Sequence, residues 1–285
     1  MVGIKIKLIY KRRDKLNIFL TKNKILENLN NYSIECGAHD GKQHFDHHDK
    51  FASNISPANN KGLTPLDESK LNSSKIFISH IDCDTFLGIN RLLANKYSLP
   101  MGIDFSIIER IDLNGDSILG NIKFISDTHA YYVGIGSLAR KLNFPRVTSE
   151  DQDVTEFIIK MLETSKEEII KLGKQIINQE EETWYNLDKM FYCDNKILLV
   201  PIPKGVNFNP SSVYRKGVDI LVVYRDEYKT ISIYANPDYI LKFPLLDKWN
   251  NIEFAGHEKA CGSPRGLELD FYAAIKVADE IARMF

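Results

Sequence analysis

Apolar and polar positions alternate with a period of two from Ile4 to Tyr10. Leu16 to Leu20 forms a second apolar run, with charged Lys11-Arg12-Arg13-Asp14 between them. This pattern predicts a hairpin. Lys22 to Asn31 has helical spacing and leads into a short strand, Tyr32 to Cys36. Residues 53 to 74 are rich in Ser, Asn, Pro and Gly and read as a loop. Lys75 to Ser79 is a short apolar strand ending at His80, and Thr85 to Tyr97 carries Phe86, Ile89, Leu92 and Leu93 at helical spacing. Strand, polar turn and helix make the βα unit of a parallel sheet. Ile103 to Ile108 reads as the next strand and Ala130 to Leu142 as a helix.

From Asp153 to Leu162, the positions Val154, Phe157, Ile158, Met161 and Leu162 follow i, i+3, i+4, i+7, i+8, which is one face of a helix. Ser165 with Glu168 forms a capping-box pattern opening another helix that runs to about Lys189. Its Glu180-Glu181-Glu182 run reads as a solvated face. Beyond Cys193 the pattern turns to strands: Ile197 to Ile202, Val218 to Tyr224 and Thr230 to Ala235. The second is apolar enough for a central strand, and Arg225 to Tyr228 suits a hairpin turn between the last two. Leu269 to Met284 is an amphipathic helix. The expected fold is therefore α/β: a parallel-sheet domain with flanking helices over residues 1–150, a helical connector over 151–193, and a smaller α/β domain over 194–285.

Composition narrows the function classes. The 285 residues are 44% hydrophobic and 26% charged, with a formal net charge of -1, an ordinary globular profile. No global basic field exists to attract a long polyanion. The four cysteines, Cys36, Cys83, Cys193 and Cys261, form no C-x-x-C pair, which argues against a zinc ribbon or a disulfide framework and fits a reducing cytoplasm. The N-terminus lacks the apolar stretch of a signal peptide, and no run approaches a membrane span.

The candidate chemistry is concentrated. Four of the seven histidines, His39, His44, His47 and His48, fall within ten residues, interleaved with Asp40, Asp46 and Asp49. Imidazole with carboxylate and no nearby thiolate suits Mn or Mg better than structural zinc. His80-Ile81-Asp82-Cys83-Asp84 stands at the carboxyl end of a predicted strand, where ligands bind in open α/β sheets. In extended geometry His80, Asp82 and Asp84 would share one face. Glu109 to Asp116 contains the turn dipeptide Asn114-Gly115, and Asp127 in Ser126-Asp127-Thr128-His129 suits a helix cap. Gly256 to Gly266 is a Gly-rich loop in which His257, Lys259 and Arg265 could meet an anion. It lacks the spacing of a nucleotide triphosphatase phosphate loop.

Taken together these segments resemble the DHH phosphoesterase superfamily, which includes single-strand exonucleases, oligoribonuclease-like enzymes, cyclic dinucleotide phosphodiesterases and inorganic pyrophosphatases. Asp46-His47-His48 matches the name-giving motif. Lys75 to Asp84 looks like the family's first motif, Ser126-Asp127-Thr128 is similar to a short Asp-Thr motif, and Ala255 to Gly262 looks like the Gly-Gly-His loop of the associated C-terminal domain. Three departures stand out. The first motif follows the DHH motif instead of preceding it, His80 lies only two residues before Asp82, and Ala255 replaces a usual Gly. A circular rearrangement would keep the site, because parallel strands can exchange sequence order and still bring their carboxyl ends together.

The resemblance implies two metal ions, Mn2+ or Mg2+, held by His80, Asp82, Asp84, His47, Asp46 and Asp127. It leaves the bridging Asp to Asp112 or Asp40. His48 would orient or relay a proton, with Asp84 the second catalytic residue, and Gly256, His257 and Arg265 would hold a substrate phosphate. The substrate class would be a nucleotide or short oligonucleotide, and a homodimer is possible. The rival from another class is a non-hydrolytic nucleotide or phosphate binder on a degenerate DHH-like fold. A metallohydrolase acting on an amide or ester is the third reading.

Overall fold

The structure, a computed structural model, describes residues 16–22, 31–37, 39–47, 55–71, 73–114, 126–187, 192–194, 196–206, 208, 218–236, 252, 254–257, 260–264 and 266–284. The chain divides into two compact units. One comprises residues 1–100 and 139–164, the other 101–138 and 165–285. These boundaries differ from the 1–150, 151–193 and 194–285 that the sequence suggests.

The first unit is built on a five-stranded sheet. Its strands are β1 (Ile18–Leu20), β2 (Asn31–Ile34), β3 (His44–Phe45), β4 (Lys75–Ile78) and β5 (Gln152–Asp153), in the order β3-β2-β4-β1-β5. The first four are mutually parallel, and β5 closes the β1 edge antiparallel. Buried Ile18, Leu20, Ile34, Ile76 and Ile78 form its apolar centre. The one-turn helix α1 (Glu68–Leu71) interrupts the long loop before β4. Helix α2 (Cys83–Leu92) follows β4 and is buried over nearly its whole circumference. Helix α5 (Thr155–Glu163) completes the unit, with Ile158 and Met161 buried. Both edges of β1 are occupied: Leu20 pairs with Ile78 on one side and Gln152 on the other, and Thr155 Oγ1 accepts from Ile18 N at 2.8 Å. The strand within the apolar run Leu16 to Leu20 is therefore an interior one. The other half of the expected N-terminal hairpin, and most of the expected 22–31 helix, lie outside the described residues.

In the second unit, α3 (Phe105–Asn114), α4 (Asp127–Lys141) and α6 (Lys166–Leu187) accompany a six-stranded sheet. The expected strand at 103–108 is the start of α3. The Asp104 carboxylate accepts from Ser106 N (2.9 Å) and Ile107 N, which nucleates a first helical turn. Ile108 and Ile111 then bury themselves three residues apart. The β-branched run that suggested a strand is one side of a helix that runs to Asn114, and Gly115 and Asp116 of the expected turn lie outside the described residues.

Helices α4 and α6 approach through glycine. A Cβ on Gly134 would collide with the backbone of Ile169, and one on Gly173 with the backbone of Ala130. Ser165 Oγ accepts from Glu168 N at 3.2 Å, as the capping pattern predicts. The second sheet contains β6 (Tyr192–Asp194), β7 (Ile197–Ile202), β8 (Ile220–Arg225), β9 (Thr230–Ala235), β10 (Ala255–His257) and β11 (Ala260–Gly262), in the order β10-β11-β9-β8-β7-β6. The apolar β8 is central, as its composition predicts. One face packs on α7 (Phe271–Met284) through Ala274, Val277, Ala278 and Ile281. The expected Gly-rich loop at 256–266 begins as a β-hairpin, with Gly256 opposite Cys261 and His257 opposite Ala260.

Candidate metal centre

Four parallel strands end on one edge of the first sheet, and their register fixes which residues follow. Leu20, Ile34 and Phe45 stand level with Ile78 or with each other. The next residues, Thr21, Ser79, Glu35 and Asp46, thus form the rim of that edge. Backbone bonds continue the ladder one step: Thr21 N donates to Ile78 O and Glu35 N to Phe45 O, both at 2.8 Å. The strand that comes last in sequence, β4, lies between β1 and β2. The reversed motif order is therefore no obstacle to convergence, because the segments around Asp46-His47 and His80 to Asp84 reach the same edge.

At this rim Glu35, His47 and Asp84 each offer a ligand atom, and these atoms lie within 4.8 Å of one another. Glu35 and His47 are deeply buried, and His47 Nδ1 lies 3.1 Å from Glu35 Oε1. Glu35 has a left-handed backbone, φ 58°. For a residue other than Gly this conformation costs roughly 1–2 kcal/mol and persists only where the surroundings enforce it. Burial pushes the Glu35 carboxyl above its ordinary value, against the pull of the hydrogen bond and charge of His47. The adjacent Cys36 thiol is pushed up to about 12 by burial and by the charges of Asp46 and Glu35. It stays protonated and offers no thiolate.

Asp84 reaches the site from the first turn of α2, where the helix N-terminus favours negative charge. The helix lies close on β2 because Gly88 carries no side chain: a Cβ there would stand 3.1 Å from both Ile34 and Pro57. Asp82 is the N-cap of α2, its Oδ1 accepting from Thr85 N at 3.2 Å. Burial works to raise the Asp82 carboxyl. The charge and hydrogen bond of His80, with hydrogen bonding to Asp84 and Thr85, outweigh this and hold it far below the usual carboxylate range.

Extended geometry stops at this cap, so His80, Asp82 and Asp84 do not share one strand face as the spacing suggests, although Asp82 and Asp84 still bring carboxylate oxygens within 4.8 Å of each other. Asp84 turns inward with the helix, while His80 and Asp82 stand 47% and 40% exposed. His80 Nε2 lies 2.9 Å from Asp82 Oδ2, and its Nδ1 lies 2.7 Å from Ser79 Oγ.

Asp46, Asp40 and Asp127 lie outside the set of Glu35, His47 and Asp84 and have partners of their own. The Asp46 carboxylate takes the backbone N–H of Gly37 and ties the β2 end to the β3 end. Asp40 Oδ1 accepts from the N–H groups of Lys42, Gln43 and His44 and closes the turn before β3. Asp112 stands half-buried on α3 of the second unit. Asp127 opens α4 and pairs with Lys174 Nζ at 2.7 Å. His48 and Arg265 lie outside the described residues, and Gly256 and His257 are placed as backbone in β10. Glu35 is the residue that sequence reasoning missed. Its only trace in the sequence is its place directly after the apolar strand Tyr32 to Ile34, which no motif marks.

A divalent ion with bonds of about 2.1 Å keeps its ligand atoms within about 4.2 Å of each other. The Glu35, His47 and Asp84 atoms, all within 4.8 Å of one another, lie close to that range. Asp82 and Asp84 bring carboxylate oxygens within 4.8 Å of each other, and a cation between two such charges stabilises both. The donors, carboxylate oxygen and imidazole nitrogen without thiolate, suit Mn2+ or Mg2+.

No protein-family model matches the sequence, and no curated protein matches it. Among solved structures, RecJ from Thermus thermophilus in complex with Mg2+ matches at 14% identity and a TM-score of 0.35, over 70% of this chain and 38% of that one. The same protein in complex with Mn2+ matches at 14% and 0.35, over 70% and 36%. The pGpG-specific phosphodiesterase PggH from Vibrio cholerae matches at 12% and 0.39, over 74% and 80%. The chain thus spans little more than a third of RecJ.

Proposed function

We propose that the chain is a metal-dependent phosphoesterase that hydrolyses a nucleotide or short oligonucleotide phosphoester. The carrying observation is the convergence of Glu35, His47 and Asp84 within 4.8 Å at the carboxyl edge of a parallel sheet. The DHH-like segments of the sequence meet at that same edge. Glu35, His47, Asp84 and Asp82 would hold the metal. Asp112, Asp127, His48, Gly256, His257 and Arg265 belong to the proposal on the sequence resemblance.

Divalent ions bound at such a site lower the pKa of a coordinated water and stabilise charge on the attacking and leaving oxygens. The protein's part is preorganisation. The sheet fixes Glu35 and the approach to His47. The α2 cap fixes Asp82, and Gly88 lets the helix bring Asp84 down onto the rim. The apolar floor of Ile34, Phe45 and Ile78 lowers the local dielectric, which strengthens each of these interactions.

The experiment is a count of bound Mn2+ per chain, followed by turnover on a panel of mononucleotides, dinucleotides, short oligonucleotides, amides and esters. Near two ions with phosphoester turnover supports the reading. Nucleotide binding without turnover under every metal would replace it with the non-hydrolytic binder. Turnover confined to amides or esters would keep the metal and change the substrate.

A further inference from the structure

We infer that His80 is a positioning residue for the Asp82 carboxylate and does not itself bind metal, an inference that rests on the metal centre proposed above.

Three observations carry it. Both ring nitrogens of His80 are committed within the same short segment, Nδ1 to Ser79 Oγ at 2.7 Å and Nε2 to Asp82 Oδ2 at 2.9 Å. Among the described residues, His80 also stands in no group of three ligand atoms within 4.8 Å of one another, whereas Asp82 shares one with Asp84, and His80 is half exposed. Finally, the Asp82 carboxylate is held at both oxygens, Oδ1 by the N–H of Thr85 and Oδ2 by His80.

A carboxylate with one anchored oxygen can still rotate about its last torsion, and a second anchor removes that freedom. The cap fixes where Asp82 stands, and the imidazole fixes which way its carboxylate plane faces. Ser79 in turn fixes the ring. A ligand's outer partners commonly change metal affinity by about 10–100-fold. The exposure of His80 places the effect at the lower end of that range.

The test uses the full chain and Mn2+ alone, without substrate. Mn2+ affinity is followed by electron paramagnetic resonance, and directly bound imidazole by its 14N coupling in the pulsed experiment. His80→Gln is expected to weaken Mn2+ binding about 10-fold and to leave the 14N coupling at its wild-type strength, because His47 supplies it. Ser79→Ala is expected to weaken binding less, and to add nothing in the His80→Gln background. Loss of one 14N coupling in His80→Gln would overturn the inference by making His80 a ligand. Unchanged affinity would overturn it by making His80 a bystander. If the wild-type protein bound no specific Mn2+, the metal centre itself would fall and the inference with it. Specific binding without phosphoester turnover would remove the proposed activity and leave the role of His80 standing.

Discussion

The two sheets of this chain solve different problems. The second has strands of up to six residues, and β7, β8 and β9 bury nearly every side chain on one face against α7. The first has strands of two to four residues, and its next rung beyond the apolar part is Thr21, Ser79, Glu35 and Asp46. One sheet is built to exclude water. The other ends abruptly so that polar groups on four parallel strands meet. Short strands are not a weakness of the first unit, because each strand needs only enough apolar residues to anchor the polar one that follows it.

If that division holds, a cavity in the second sheet should cost stability and leave the chemistry alone. Ile233 is fully buried in the centre of the second sheet. Ile233→Ala is expected to lower unfolding free energy by about 2–5 kcal/mol. Mn2+ affinity, measured well below the melting temperature, should stay within about twofold of wild type. A loss of metal affinity comparable to the loss of stability would show that the two sheets are not separable in this way.

The converse change is Asp84→Asn. It keeps the shape of a buried side chain at the start of α2 and removes a charge from the metal set. Mn2+ affinity is expected to fall about 100-fold, equivalent to about 2.7 kcal/mol, while the thermal midpoint of the metal-free protein holds or rises. A drop in that midpoint without loss of Mn2+ binding would make Asp84 structural.

A smaller effect is expected at the α4–α6 crossing. Gly134→Ala places a methyl group against the backbone of Ile169. Overpacking of this kind costs about 1–3 kcal/mol, readable in a urea midpoint. No cost would mean that the helices separate easily and that their close approach is not required.

How much of this could be read from the chain depended on whether a feature was local. The helix at 155–163, the Ser165 cap and the apolar central strand β8 were visible because periodicity and capping are set by neighbours in sequence. Histidine and aspartate density marked His47, Asp82 and Asp84. Three features were not visible. The Asp104 cap reversed the β propensity of Ile107 and Ile108. The Asp82 cap ended the two-residue alternation that seemed to align His80 with Asp84. Glu35 carries no motif at all, and joins the site only because β2 pairs with β4 in a register that no local pattern reveals. The same pairing explains why motifs in reversed order converge: position across a parallel sheet is independent of order along the chain.

The smallest effect sharpens the contrast inside the first sheet, between acids that meet at the rim and an acid that only shapes a turn. Asp40 accepts three backbone N–H bonds at 2.8–2.9 Å. Partial burial works to raise its carboxyl, and the N–H groups of His44, Gln43 and Lys42 outweigh that and hold it below the usual value. A carboxyl lowered on folding stabilises the protein above its unfolded pKa, about 3.9, and loses that contribution as pH falls through the lower folded value. Asp40→Asn should therefore cost about 1 kcal/mol at neutral pH. The gap from wild type should stay flat down to about pH 5 and narrow below about pH 4. Mn2+ affinity at neutral pH should be unchanged, because Asp40 faces backbone donors and not the metal set. A fall of Mn2+ affinity on the scale expected for Asp84→Asn would move Asp40 from the turn to the centre, and the separation between rim and turn would be lost.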